Sequence, residues 1–473
     1  MQRSKRIYTL LGVLAVSCIA TFAVLKVEEK KEQISNSDEV ILEISTDSVQ
    51  ALSWDYEDTS LAFHKDDQWL YDEDSAFPVD EEKMEELLEQ FQSFGVSFII
   101  EDVEDYAQYG LEDPLCTIHL ETEDQSYDIL LGNYSNMDSE RYVSIGDGNV
   151  YLVSEDPLDY FDTQLSDMID HDETPSFDTV EQITFTGEED YSVFYEEDST
   201  ETYQPEDVYF TKKNGKNLPL DTDRVDTYLN EITTMDLTDY VTYNATEEEL
   251  QSYGLDDPEL TVAVDYTVEN EDGEETDETF VLNISRDPEE KQAEKEDSET
   301  DEDSEDDESE EEITAYARVG ESQIVYQISG SDYEALMAAS YDSLRHPEVL
   351  SADFSDVTEL DITLEGKEYT ITSEKDDDTR TYYYGEEELE IDDLQSAVEA
   401  LSADSFTEEE PDQKEEISLT VHLDNEYFPE VQIQLYRYDG NYCLAVVDGE
   451  SVSLVERSYV IDLVEAVNAI VLN

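Results

Sequence analysis

Residues Tyr253–Val264 read YGLDDPELTVAV, and Tyr109–Leu120 read YGLEDPLCTIHL. The opening six residues recur with one change, Glu112 in the earlier copy and Asp256 in the later, and each copy leads into alternating apolar positions. Upstream of the later copy, ATEEELQSYG suits a short helix capped by Thr246. Gly254 then falls just past the C-cap, where a left-handed backbone is required and glycine has no Cβ to oppose it. Leu255 is the next residue out and Leu250 lies in the last turn, the pair whose contact accompanies a Schellman ending. Pro258 follows, as expected beyond a stopped helix. Tyr106, Gly110, Leu111 and Pro114 take the same places in the earlier copy. The motif reads as a helix stop feeding a strand, Cys116/Ile118/Leu120 or Leu260/Val262/Val264, and not as a ligand site.

Working outward, the chain reads as one unit used three times. DSVQALSW, DTVEQITF and SDVTELDI place Val49/Leu52/Trp54, Val180/Ile183/Phe185 and Val357/Leu360/Ile362 in correspondence. Each is followed by a second strand-like segment: TSLAFHK, YSVFYEE or KEYTITSE. A helix comes next in FPVDEEKMEELLEQF, LPLDTDRVDTYLNEI and LEIDDLQSAVEAL, with Asp80, Asp221 and Asp392 as expected N-caps. Met84/Leu87/Leu88/Phe91 and Val225/Leu229/Ile232 give two of these helices an apolar stripe. Hairpins aligned on Tyr142, Tyr316 and Tyr442 close the units, two of them with Asp-Gly turns at Asp147-Gly148 and Asp448-Gly449.

The N-terminus adds a different signal. Arg3, Lys5 and Arg6 precede a run without charges from Ile7 to Leu25, long enough to span a bilayer core of about 30 Å. The basic flank should stay in the cytoplasm. AVSC at Ala15–Cys18 loosely matches a lipoprotein box, but the run stays apolar beyond Cys18, which favours an uncleaved anchor. The expected fold class is therefore α+β: an N-terminal transmembrane helix followed by three similar antiparallel-sheet-plus-helix modules in tandem. The divisions are 1–30 for the basic start and anchor, then 40–170, 176–345 and a divergent 352–473. The expected location is the cell membrane, single-pass, with the body extracytoplasmic.

The 473 residues carry 24 Lys+Arg against 128 Asp+Glu, a net charge of −104. Such a field repels phosphate backbones and argues against nucleic-acid binding. Seventeen of the acids lie in 287–312, a loop expansion of the second unit that should be disordered and bind divalent cations weakly and without specificity. Cys116 and Cys443 fall in strand-like patterns and read as small buried apolar residues.

The basic-apolar start, the strand ending at Trp54, FPVDEEK, the pair YGLEDP and YGLDDP, and RYVSIGDGNVYLVS resemble the family called domain of unknown function 4340. The resemblance covers nearly the whole chain after Lys26, although the third unit lacks the Tyr-Gly-Leu corner. It implies a membrane-anchored bacterial surface protein, with ABC transporter components or other envelope proteins as partners. It supplies no catalytic residues.

The residues themselves point away from an enzyme. His64, His119, His171, His346 and His422 are isolated, with no HExxH pair. No GxSxG elbow or Cys-His metal spacing occurs. VENEDGEE offers Asn270, Asp272 and Gly273 to an EF-hand pattern, but Val268 and Thr279 occupy its first and twelfth places, so a hairpin turn is expected. No catalytic, cofactor-binding or metal-ligating residue is assigned, and no cofactor is expected. The 32 tyrosines read as strand packing with wet phenol edges. The expected function is a non-catalytic scaffold or accessory subunit of an envelope system. The alternative is a cell-wall or carbohydrate-binding protein, with carboxylate-based hydrolysis that no motif encodes.

Overall fold

The computed structural model describes residues 33–269, 273–293, 313–376 and 379–472. The chain divides into two compact units, Met1–His171 and Asp172–Asn473.

The first unit is built on a nine-stranded antiparallel sheet, and the second contains two such sheets. Eight strands are common to all three. In the first sheet they are Val49–Tyr56, Thr59–Lys65, Trp69–Tyr71, Phe98–Glu101, Cys116–Thr122, Ser126–Ser135, Glu140–Ser144 and Val150–Val153. Numbered within each sheet by chain order, the spatial order is 3-2-1-5-6-7-8-4 every time. The ninth strand differs. Gln33–Asn36 pairs with strand 4 in the first sheet, whereas Lys216–Pro219 and Glu387–Leu389 pair with strand 3 in the others.

Strand 1 explains an odd spacing in the sequence. Apolar residues on one sheet face should recur at even intervals, yet Val49 and Leu52, Val180 and Ile183, and Val357 and Leu360 lie three apart. In all three sheets the register between strands 1 and 5 shifts inside that interval, between Val49 and Ala51, Val180 and Gln182, and Val357 and Glu359. A bulge inserts one residue and returns the next apolar side chain to the core side. All six residues are buried as a result.

Helices cover one face. Trp54 packs between Phe63 of strand 2 and Phe161 of the terminal helical turn, with ring centroids 5.7 and 5.4 Å away. In the second sheet Phe185 meets Tyr228 of the helix Thr222–Thr233 edge-on at 5.5 Å, and Tyr228 donates a hydrogen bond to the Leu336 carbonyl. In the third, Leu394 and Val398 of Asp392–Glu399 and Val460, Leu463 and Val467 of Arg457–Val471 share a core with Ile362, Leu419 and Ile433. Tyr203, from a loop of the second sheet, packs onto that same core and stacks edge-on against Phe428 at 5.6 Å.

The opposite faces are polar over strands 1, 5 and 6, whereas over strands 7 and 8 the corner covers them in the first two sheets. Tyr109 and Leu111 pack on Val150 and Tyr142 in the first sheet. Leu250, Tyr253 and Leu255, from the helix Glu247–Ser252 and its stop, pack on Tyr316 and Val325 in the second. Ser53, Thr117 and His119 on the first sheet are half-exposed, as are Thr184, Thr261, Asp265 and Asn283 on the second and Asp361, Thr420 and His422 on the third. Hydrogen bonds knit these residues across strands: Thr261 to Asn283 at 2.9 Å, Thr279 to Asp265 at 2.6 Å, Thr370 to Asp361 at 2.5 Å. Such cross-strand pairs stabilise a sheet from its wet side.

The Tyr-Gly-Leu corner is a helix stop in both copies. Gly254 has φ +70° and Gly110 has φ +74°. Leu255 N–H donates to the Leu250 carbonyl at 2.8 Å and Gly254 N–H to that of Gln251 at 3.3 Å, the two bonds of a Schellman ending. Leu111 and Gly110 donate likewise to Tyr106 and Ala107. The motif tyrosine packs on the hairpin tyrosine, Tyr109 on Tyr142 at 4.9 Å and Tyr253 on Tyr316 at 4.6 Å.

Four expectations are corrected. Among the described residues the chain is mainly antiparallel β, with three nine-stranded sheets and a small two-stranded one, and not α+β; strands take up about twice as many residues as helices, and the longest described helix has 15 residues. Nor is it a simple tandem of three separate modules, because the second and third sheets share one compact unit. The span Ile7–Leu25 and its Cys18 alternative lie outside the described residues. Among those described, no helix is long and apolar enough to cross a membrane; Arg457–Val471 reaches only about 22 Å at 1.5 Å per residue. Asp392 is not an N-cap: Ile391 precedes the helix with α-region dihedrals, so Asp392 already sits in the first turn and acts on the helix dipole. Asp80 and Asp221 do cap, each accepting from two first-turn amides. Finally, residues 288–293 of the acidic run are helical, so its start is ordered and not disordered. Asp287 accepts from Glu289 and Glu290, Glu290 holds Thr314, and Lys291 pairs with Glu259. Residues 294–312 of the run lie outside the described residues.

Candidate functional site

A polar cluster in the second unit surrounds His346, on the connection between its two sheets. The connection is held by its neighbours on both sides. The Arg345 guanidinium lies 3.5 Å over the Phe406 ring, and Val349 N–H donates to the Leu401 carbonyl at 2.9 Å. This fixes His346 facing the second sheet, where Asp207, Asp221 and Glu348 converge. Asp207 is 4% exposed; its Oδ2 accepts from Thr202 at 2.6 Å and its Oδ1 lies 2.8 Å from His346 Nε2. Asp221 Oδ2 and Glu348 Oε2 stand 3.7 and 3.8 Å from Nδ1. Burial is the largest influence on this imidazole and opposes its charge, but the Asp207 hydrogen bond and the surrounding carboxylates outweigh it and raise the pKa above the usual histidine value.

A second trio, Glu359, Asp361 and His422, lies on the polar face of the third sheet, with His422 Nε2 3.2 Å from Asp361. His64 and His119 also pair with carboxylates, Asp72 at 2.5 Å and Asp128 at 2.6 Å. The thiols are poor nucleophiles. Burial pushes Cys116 up to about 12 and Cys443 up to about 11, and both are free and buried.

The second unit also has an open groove of about 620 Å³ between the segment Thr174–Val180 and the helix Thr222–Thr233. Tyr195 and Tyr209 stand on its wall at 5.9 Å, edge to face, with Asp226 and Asn230 beside them. Desolvation raises the Asp226 pKa, partly offset by a hydrogen bond from Tyr209.

No single stretch of sequence shows the His346 cluster, because His346 and Asp207 lie 139 residues apart. The one local clue is His346-Pro347-Glu348, which has no metal-motif spacing. The EF-hand-like stretch loses Asn270 and Asp272 to the residues that are not described. Its flanks pair as Glu269 with Glu275, the two sides of a hairpin.

A family profile described as "Domain of unknown function (DUF4340)" matches residues 69–258 and again 211–420. Together the matches cover 69–420, about three quarters of the chain. Each starts in strand 3 of one sheet and ends beside or within strand 5 of the next, so the profile registers the repeat in the strand order. No curated protein and no solved structure matches the chain.

Proposed function

The chain belongs to the family of domain of unknown function DUF4340, and from that premise we propose that it is a non-catalytic scaffold or accessory subunit of a bacterial cell-envelope system of the ABC transporter type. One observation carries the reading: three sheets of a single strand order each present a half-exposed polar surface over strands 1, 5 and 6. A face of threonine, serine, asparagine and carboxylate side chains, pre-ordered by cross-strand hydrogen bonds, offers a partner many bonds at little ordering cost. Export is supported by the basic residues Arg3, Lys5 and Arg6 ahead of an uncharged run, and we assign the body to the extracytoplasmic side. The net charge of −104 favours basic partner surfaces and diffuse association of divalent cations. Affinity capture from detergent-solubilised envelopes tests this. Recovery of transporter subunits supports it, and recovery of wall glycan alone sinks it.

The groove beside Tyr195 favours a second reading, a carbohydrate-binding protein, since aromatic faces next to a carboxylate and an amide suit sugar rings. Tyr195→Ala should then abolish retention on cell-wall glycan. Unchanged retention removes this alternative.

A further inference from the structure

We propose that His346 Nδ1, Asp221 Oδ2 and Glu348 Oε2 form a site for one divalent transition-metal cation, which pins the connection between the second and third sheets. The argument starts from the imidazole. Its Nε2 side is committed to Asp207, a carboxylate that is itself buried and held by Thr202. A carboxylate behind the ring is the usual device that fixes a ligating histidine and raises its basicity. The other nitrogen faces two carboxylate oxygens at 3.7 and 3.8 Å, beyond hydrogen-bonding reach. Those separations suit donors around one ion: two bonds of about 2.1 Å, opened to roughly 110–130°, set their ends about 3.4–3.8 Å apart. All three donor atoms lie within 4.8 Å of one another.

Asp221 divides its labour. One oxygen caps the helix, accepting from Asp223 and Arg224 N–H, and leaves Oδ2 to the site. The competing cation is Arg224, whose Nε lies 3.6 Å from that oxygen. Its side chain is 42% exposed and also bonds the Ser343 carbonyl, so it can withdraw from Asp221 without losing every partner. Glu348 is 42% exposed, which gives the ion an entry route and water for its remaining positions. One imidazole with two carboxylates selects a borderline cation such as zinc over calcium, which prefers oxygen donors alone.

The trio at His422 is the natural comparison. There the ring nitrogen is already hydrogen-bonded to Asp361, and Glu430 stands 4.0 Å from the other nitrogen with 44% of its side chain exposed. It lacks the buried orienting carboxylate, so it serves as the control.

Zinc is titrated into the full chain by calorimetry, in excess magnesium to occupy the diffuse acidic surface. The expected result is one stoichiometric zinc. Its affinity should fall at least tenfold in His346→Gln and in Glu348→Gln, and hold in His422→Gln. The exposed Glu348 variant should keep the wild-type circular dichroism, which separates loss of a ligand from loss of fold. Absence of stoichiometric zinc, undiminished affinity in the His346 and Glu348 variants, or a loss confined to His422→Gln would each overturn the site.

Discussion

Substituting alanine at the two corner glycines asks how much of each corner is backbone geometry and how much is space. Both glycines have positive φ, so a Cβ costs about 1 kcal/mol at either position. The surroundings differ. At Gly254 the new methyl would meet the Pro288 side chain at 3.2 Å and the Ser285 side chain at 3.3 Å, contacts that a small shift relieves. At Gly110 it would meet the Asn133 side chain at 2.7 Å and the Asn133 backbone nitrogen at 2.9 Å, and that backbone is fixed in a strand. Overpacking of this kind adds about 1–3 kcal/mol. Gly254→Ala should therefore cost about 1 kcal/mol and Gly110→Ala about 3. The chain carries its own probe, since both tryptophans, Trp54 and Trp69, are buried in the first unit. With an m-value of about 2 kcal/mol/M, Gly110→Ala should move the fluorescence midpoint in urea down by about 1.5 M. Circular dichroism follows the second unit for Gly254→Ala. A Gly110→Ala cost equal to or below that of Gly254→Ala would refute the steric argument.

The other predictions concern charge. Arg141 is buried and bonds Asp156 at 2.5 Å and the Gly132 carbonyl at 2.7 Å, so Asp156→Ala should strand its guanidinium and cost about 3–5 kcal/mol by tryptophan fluorescence; a loss under 1 kcal/mol would show that water reaches the pair. Deleting 294–312 should leave the melting temperature unchanged at moderate salt, whereas a deletion starting at 287 should lower it by removing Glu290 from Thr314 and Lys291 from Glu259; equal effects would contradict the assigned contacts. Hydrogen bonds that the His119 ring donates to Asp128 first and Glu121 second raise its pKa. The stability it contributes is complete below the unfolded value of about 6.5 and is lost as pH rises through the higher folded value. A nuclear magnetic resonance titration should find that pKa above 6.5, and Asp128→Asn should bring it down. An unshifted wild-type value would contradict the geometry.

Local chemistry was legible where it is written in neighbouring residues. The Schellman ending at Gly254, the caps at Asp80 and Asp221 and the buried stripe of strand 1 each depend on a few consecutive side chains. The three-residue apolar interval was visible too, but only the paired strand shows that a bulge causes it. Balance between helix and strand was misread, because helices of eight to fifteen residues announce themselves through caps and stripes, whereas short strands such as Trp69–Tyr71 have no periodicity to show. The merger of two sheets into one compact unit depends on Tyr203 and Arg345 reaching the third sheet, and neither position is marked in the sequence. The same holds for His346, whose partners come from a loop, a helix cap and its own connection.

The central claim is that the polar sheet surfaces over strands 1, 5 and 6 bind a partner protein. A photo-crosslinking amino acid placed in turn at Thr117, Thr261 and Thr420 tests it in living cells, with the exposed helix positions Glu85 and Thr227 as controls. The account predicts crosslinks from the face positions to a defined set of envelope transporter subunits, and none of these from the helix positions. Crosslinks to the same subunits from the helix positions alone, or to wall glycan alone from every position, would contradict it.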